Sequence, residues 1–395
     1  MSKYELLAPA GDLEKLKMAI LYGANAVFIG GERYSLRSRA SNFTIDDIKE
    51  GVKFAHEHNA HVHVTCNIVM HESDIEGIKE YLIALDEANV DAIIVSSPAI
   101  MKIAKEYTSL EIHASTQASI LNTQAMKFYE SLGVKRIVLA REATLEEIKL
   151  IREHTKLDLE VFIHGGMCMS YSGRCMLSNV LTNRDANRGG CAHSCRWKYD
   201  LFSDGKKINK DDSYFAMGSK DLCAISAIPT LMDLNVQSFK IEGRMKSLHY
   251  IATVVKSYRM LIDEYEKTGK VLNLDYYASE VKKGENRLTS TGFLFGNPTI
   301  KEQLFDMSTE VPTKEFVGIV LGYDNEKHMA IVEQRNYFLP NSRLELFGYN
   351  RDKIINIGQI FNNDLEPLDA ARHPKQIIYM ECNEILYPNE ILRLC

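Results

Sequence analysis

Eight short apolar runs, each followed by a segment of helical periodicity or a loop, constrain this chain more than any other feature. The runs are ELLAPAG (5–11), AVFIGG (26–31), HVHVTCNIV (61–69), DAIIVSS (91–97), LEIHAS (110–115), RIVLARE (136–142), LEVFIHG (159–165) and SFKIEGR (238–244). They lack strict polar alternation, as strands buried on both faces do. Between them, LEKLKMAILYG (13–23), IDDIKEGVKFAHEH (45–58), IEGIKEYLIALDEA (75–88) and LEEIKLIREH (145–154) repeat apolar residues at three and four spacing. Such units over residues 1–270 predict an α/β chain folded as a closed, TIM-like (β/α)8 barrel. A doubly wound open sheet is the alternative, because periodicity does not separate closure from an edge.

After the last barrel helix, HYIATVVKSYRMLIDEYEKTG, residues 271–310 read as a connector that carries NRLTSTGFLFGNP (286–298). From 311 to 395 the pattern changes to six helix-free strands, EFVGIVLGY, HMAIVEQR, SRLELFGY, INIGQIF, QIIYMEC and EILRLC. They predict a small all-β domain, a barrel or a sandwich. The start, MSKYELLAPAGD, lacks the regions of a signal peptide, and no apolar run approaches the roughly 18 residues of a membrane helix. The expectation is a cytoplasmic protein without a membrane partner, whose thiols stay reduced; a disulfide framework is the lesser alternative.

In a barrel of this kind chemistry sits where strands end and the following loops begin. Those ends are polar here: Asn67, His113, Ser115, Gln117, Arg141, Glu142, His164, Lys240, Glu242 and Arg244. The insertion after strand seven, residues 166–223, is far longer than the usual few residues of such a loop. It is also basic, with eight Lys/Arg against three Asp/Glu between Arg174 and Lys210, in a chain of net charge −6. Together with Arg33, Arg37, Arg39, Arg141 and Arg244 it predicts a cationic mouth and an anionic ligand, although a single arginine is more often a solvated or ion-paired surface residue. The overall charge argues against indiscriminate coating of nucleic acid. For His113 and His164 the plainer role is a hydrogen-bonded histidine at the core edge.

Four cysteines fall in HGGMCMSYSGRCMLSNVLTNRDANRGGCAHSCRW (164–197), a concentration unusual for a chain with eight in all. Cys168, Cys175, Cys191 and Cys195 are separated by six, fifteen and three residues, and Cys223 follows in KDLC, read as the start of the next helix. Only Cys191 and Cys195 approach a zinc knuckle, so zinc is the weaker metal alternative. An iron–sulfur cluster tolerates irregular spacing, and unliganded thiols stay open. Five candidates compete for four positions, Cys195 against Cys223 for the last. Cys66, Cys382 and Cys395 are isolated, and Cys66 reads as a buried apolar residue.

ELLAPAGDLEKLKMAILYGANAVFIGG, RYSLRSRASNF, HGGMCMSYSGRCMLSN…NRGGCAHSCRW, SFKIEGRMKS and NRLTSTGFLFG, in this order, resemble peptidase family U-32, the collagenase-like proteins. The resemblance implies a barrel and a [4Fe–4S] cluster on Cys168, Cys175, Cys191 and either Cys223 or Cys195. It also implies several activities: peptidase, hydroxylation of RNA bases including an rRNA cytidine, or of a ubiquinone precursor. CAHSCRWKYDL and the β domain look most like the branch that makes 5-hydroxyuridine at the tRNA wobble position with prephenate as hydroxyl source. Neither an H-E-x-x-H site, a G-x-S-x-G elbow nor a papain-type cysteine context is present in the sequence, so peptidase chemistry lacks a visible nucleophile.

On this reading Arg37, Arg141, Arg174, Lys240 and Arg244 hold a small dicarboxylate, prephenate, or RNA phosphate. His113, Gln117, His164 and Glu242 position substrate or move protons. Tyr171, Trp197 or Tyr199 stack on bases of a tRNA anticodon loop, or else pack the insertion together. The β domain extends an RNA surface or serves packing, a protein partner or a homodimer. A noncatalytic metal scaffold is the remaining alternative.

Overall fold

The computed structural model describes residues 2–36, 42–305 and 313–395. Seven parallel strands, β1 (Glu5–Pro9), β2 (Ala26–Gly30), β3 (His61–Cys66), β4 (Ala92–Val95), β5 (Glu111–Ala114), β6 (Arg136–Val138) and β7 (Asp158–Gly165), pair in chain order. A closing strand, Ser238–Ile241, pairs with both β7 (Ser238 opposite Glu160) and β1 (Ser238 opposite Glu5). The sheet is therefore the expected closed barrel, not an open doubly wound one. Its strands are buried on both faces, the reason their sequences do not alternate.

Local sequence sets the helix starts. Asp12 caps Leu13–Leu21 by accepting from the Lys15 N–H, and Thr44 with Asp47 and Thr144 with Glu147 form capping boxes at Ile45–Glu57 and Leu145–His154. The long helix Leu248–Thr268, capped by Ser247, is buried along most of its first half. No helix among the described residues is long and apolar enough to cross a membrane.

The barrel interior carries a buried ionic network. Lys240 Nζ donates to Glu160 Oε1 at 2.7 Å, and Arg136 bonds Glu5 and lies 3.6 Å from Glu160. Ser238 Oγ donates to Glu5 at 2.7 Å, and His113 Nε2 lies 2.8 Å from Glu111 Oε1 with its ring edge-on to His63. Burial alone would raise the Glu160 carboxyl, but the Lys240 ammonium and Arg136 guanidinium hold it below the usual carboxylate range. The pleat explains the placement. His113 and Lys240 are third in their strands and buried, Lys240 against the buried Glu160 and His113 against the half-exposed Glu111 at the start of its own strand. The reading that put them at the mouth is corrected: both are spent inside the barrel.

Among the described residues the C-terminal domain is an antiparallel sheet of eight strands, two more than expected, because INIGQIF divides and the short strand Pro367–Leu368 adds to Ile360–Phe361. Its first part ends the edge strand Asp352–Asn356, while Ile360–Phe361 pairs at the opposite end with Ile377–Glu381. The sheet has its own core, including Val317, Val332, Leu344, Ile378 and Leu392. It docks on the barrel through polar groups that are themselves buried. Tyr22 donates to the Phe347 carbonyl at 2.8 Å, Lys256 Nζ to the Gly348 carbonyl at 2.6 Å, and the fully buried Arg393 to Thr253 while lying over the Phe347 ring.

Glu160→Gln leaves Lys240 buried without its counter-charge and is expected to destabilise the protein by about 3–5 kcal/mol, with Glu160→Leu/Lys240→Met recovering most of the loss. Urea unfolding of both variants measures this; an equally unstable double variant would contradict the pairing. Burial also holds His63, His164 and His249 below the ordinary 6.5, so the folded protein keeps them neutral. The unfolded chain takes up protons that the folded one refuses. Stability is expected to be intact above pH 6.5 and to fall below it, by about 1.4 kcal/mol per pH unit for each histidine. Urea midpoints that stay flat between about pH 7 and 5 would exclude it.

Candidate active site at the barrel mouth

One irregularity in the closing ladder shapes the functional end. Lys240 lies opposite Phe162, but Ile241 lies opposite His164, so β7 bulges at Ile163. Beyond the bulge the pleat reverses. His164 turns away from the mouth toward the long helix, its ring 5.7 Å from Tyr250 and 5.6 Å from Tyr258. Its expected place among the mouth residues is therefore corrected. Gly165 follows at φ +104, where a Cβ would stand 2.3 Å from the Glu242 carbonyl oxygen, so only glycine fits. From here the insertion leaves the barrel. It returns as the short strand Asp221–Cys223, antiparallel to β7, with Cys223 opposite His164. Cys223 lies in this strand and does not begin a helix.

The insertion lies across the mouth as a lid. At its base Arg196 donates to the carbonyls of Met167 (2.9 Å) and Ser219 and pairs with Asp221 at 3.2 Å. Toward β6 the Ser172 N–H donates to Glu142 at 2.7 Å. Toward β3 the Val69 N–H donates to the Asn187 carbonyl at 2.9 Å, and Arg188 pairs with Asp74.

Within the lid, Asn187 grips the backbone of Cys175 on both sides: Oδ1 accepts from its N–H and Nδ2 donates to its carbonyl, each at 3.0 Å. Ser178 Oγ donates to the Arg184 carbonyl and accepts from the Ala192 N–H, fixing the arm that carries Cys191 and Cys195. All eight cysteines are free thiols. Burial raises the Cys195 thiol, Arg196 opposes the rise, and the thiols of Cys168, Cys191 and Cys175 add to it, so these four form one electrostatic group. Cys223 belongs to a different neighbourhood, with its Sγ 3.9 Å from the Tyr258 hydroxyl and next to His164 and Glu285. The placement separates the two competitors: Cys195 joins the other three, and Cys223 does not. Four mutually repelling soft donors, two exposed and two half-buried, fit a soft cation or an iron–sulfur cluster.

Under the lid the mouth is polar. Gln117 receives the Ser115 hydroxyl, lies 3.4 Å from Asn67 Nδ2 and faces Gly173 of the lid. Arg244 donates to Ser35 Oγ at 3.1 Å and Asn42 Oδ1 at 3.2 Å; Ser35 in turn bonds Thr65. Arg141 donates to Glu242 at 3.1 Å and lies over the Phe162 ring at 3.8 Å. Arg174 is exposed on the lid, as are Tyr171 and Trp197, whereas the Tyr199 hydroxyl donates to the Ser194 carbonyl and braces the lid itself. Arg37 and Arg39 lie outside the described residues. Ser35, Thr65, Asn187 and Ser178 escaped the sequence reading. Nothing in their types marks them, since each acts through hydrogen bonds that only the folded chain forms.

A family model described as Peptidase family U32 matches residues 11–304, and one described as Peptidase family U32 C-terminal domain matches 312–393. The tRNA hydroxylation protein P1 of Bacillus subtilis (strain 168) is 46% identical over 400 residues, covering 99% of this chain and 94% of that protein. The tRNA hydroxylation protein P of Haemophilus influenzae is 31% identical over 430 residues, covering 96% and 93%. The 23S rRNA 5-hydroxycytidine C2501 synthase of Escherichia coli (strain K12) is 39% identical over 262 residues, covering 66% of this chain and 39% of that protein.

Gly165→Ala forces β7 and the Glu242 segment apart and imposes a left-handed conformation on alanine, at a cost of more than about 1 kcal/mol. Limited proteolysis is expected to cut the variant faster than the wild type, first within 166–220; equal cutting rates would sink the claim that Gly165 seats the lid.

Proposed function

The chain belongs to peptidase family U32, and from that premise we propose that it is an RNA-modifying enzyme that hydroxylates a pyrimidine base, with wobble uridine of tRNA, converted to 5-hydroxyuridine, as its substrate. The grouping of Cys168, Cys175, Cys191 and Cys195 in a lid over a polar, arginine-bearing mouth carries this reading. Full-length similarity to proteins named for tRNA hydroxylation supports the choice of substrate.

In this proposal the four lid cysteines hold a [4Fe–4S] cluster, which when bound supplies one-electron redox chemistry. The chain's own groups do the rest. Arg141 and Arg244 at the mouth, with Arg174 on the lid, bind carboxylates of prephenate or backbone phosphates; Arg141 already holds the Glu242 carboxylate, a stand-in for such a group. Glu242 and Gln117 orient the base through hydrogen bonds, and the lid excludes water. The exposed rings of Tyr171 and Trp197 offer stacking faces for unpaired anticodon bases. Lys240, His113 and His164, engaged elsewhere, take no direct part.

Peptide hydrolysis finds less support. Burial pushes the Cys223 thiol up to about 11 and the neighbouring His164 imidazole down to about 3, the reverse of the thiolate–imidazolium pair that a cysteine peptidase uses.

Anaerobic purification with iron and sulfide counts tests the cluster directly. Cys→Ala changes at 168, 175, 191 and 195 are each expected to abolish the iron–sulfur absorption and, in a strain relying on the variant, 5-hydroxyuridine in tRNA nucleosides. A protein free of iron under strict anaerobiosis, or unchanged nucleosides on deletion, would overturn the proposal. Arg141→Lys, which loses the bidentate fork, is expected to raise the KM for prephenate about tenfold or more while leaving the iron count intact.

A further inference from the structure

We propose that His164, Cys223 and Glu285 form a second metal site, distinct from the lid cysteines, that binds one divalent cation of the zinc class and clamps the base of the lid. One donor atom from each lies within 4.8 Å of the others. The three come from separate segments: His164 from the end of β7 where the lid departs, Cys223 from the strand where it returns, and Glu285 from the turn after helix Leu274–Lys282. A shared cation would tie these segments together.

Hydrogen bonding prepares the imidazole for ligation. The Tyr258 hydroxyl has one proton, directed to the Ile163 carbonyl at 2.9 Å, and it accepts from the Ala224 N–H at 3.2 Å. His164 Nδ1 stands 3.3 Å from the same oxygen, so Nδ1 carries the hydrogen and Nε2 keeps its lone pair. A histidine whose second nitrogen donates to a fixed group is the usual arrangement of a metal ligand. The lone pair faces Glu285 Oε1 at 3.5 Å. That separation is long for a charge-assisted hydrogen bond of about 2.7–2.9 Å. It equals the edge of a tetrahedral zinc site, about 3.3–3.8 Å between donors for ordinary Zn–N, Zn–O and Zn–S bonds.

Charge and chemistry agree. A divalent cation with one thiolate, one carboxylate and a neutral imidazole has no net charge, which suits side chains as enclosed as His164 (1% exposed) and Glu285 (9%). Burial already keeps the imidazole neutral, and a cation would take the place of the proton that burial holds on the Cys223 thiol. The fourth position is left to a solvent molecule. This site rests on the lid assignment only in that Cys223 is not a cluster ligand.

The test uses the full chain purified anaerobically with its cluster, equilibrated with zinc, desalted, and analysed for zinc, iron and sulfide. One zinc per chain is expected in the wild type. Cys223→Ser and Glu285→Gln should weaken zinc binding at least about tenfold with iron and sulfide unchanged, whereas Cys195→Ser should lose iron and keep the zinc. Cobalt in place of zinc should give a thiolate-to-cobalt charge-transfer band that disappears in Cys223→Ser. A wild-type chain that retains no zinc overturns the site without touching the lid assignment. Loss of iron in Cys223→Ser overturns both, by making Cys223 a cluster ligand. Circular dichroism of the conservative Glu285→Gln variant separates lost metal from lost fold, and the wild-type zinc count needs no variant at all.

Discussion

The ladder between β7 and the closing strand Ser238–Ile241 is the interaction on which the rest of the molecule depends. Its hydrogen bonds close the barrel by bringing a segment far along the chain back between β7 and β1. Closure alone would have continued the pleat to the mouth and aimed His164 inward. The bulge at Ile163 reverses it, and Gly165 supplies the conformation that lets the chain leave the barrel under the Glu242 carbonyl. One register shift thus produces the lid, the outward histidine and the pairing of Cys223 with His164.

Charge is divided between two levels of the barrel. The interior set of Glu5, Arg136, Glu160 and Lys240 is paired within the fold, where an uncompensated charge would be costly. The upper set of Arg141, Arg244, Glu242, Gln117 and Asn67 is arranged around the space that the lid covers. In the proposed function it is the upper set that meets the ligand. An ionisable residue near a strand end is therefore a poor guide to function until its direction is known, because one step along the strand turns it from the axis to the surrounding helices.

The lid owes its order to short polar contacts more than to apolar burial. Asn187, Ser178 and Arg196 satisfy backbone groups that a long irregular segment would otherwise leave unpaired. Apolar side chains such as Met169, Tyr171, Met176 and Trp197 are left exposed around the cysteines. This combination suits a surface that meets a partner with flat faces and phosphates, as the proposed RNA substrate has.

The strands, the helix caps and the concentration of cysteines were legible in the sequence because each is a local property: apolar runs without alternation, Thr-x-x-Asp or Thr-x-x-Glu before a helix, thiols close together in the chain. The closed order of the sheet was legible as well, from the count and spacing of its units. Spacing could not choose between Cys195 and Cys223, since both lie within reach of a long loop. It gave no sign that His164 turns outward or that Lys240 and His113 are consumed by Glu160 and Glu111. Those outcomes belong to the tertiary structure. They follow from a single inserted residue in a ladder between strands distant in sequence, and from the buried Glu160, which only the closed barrel brings beside Lys240.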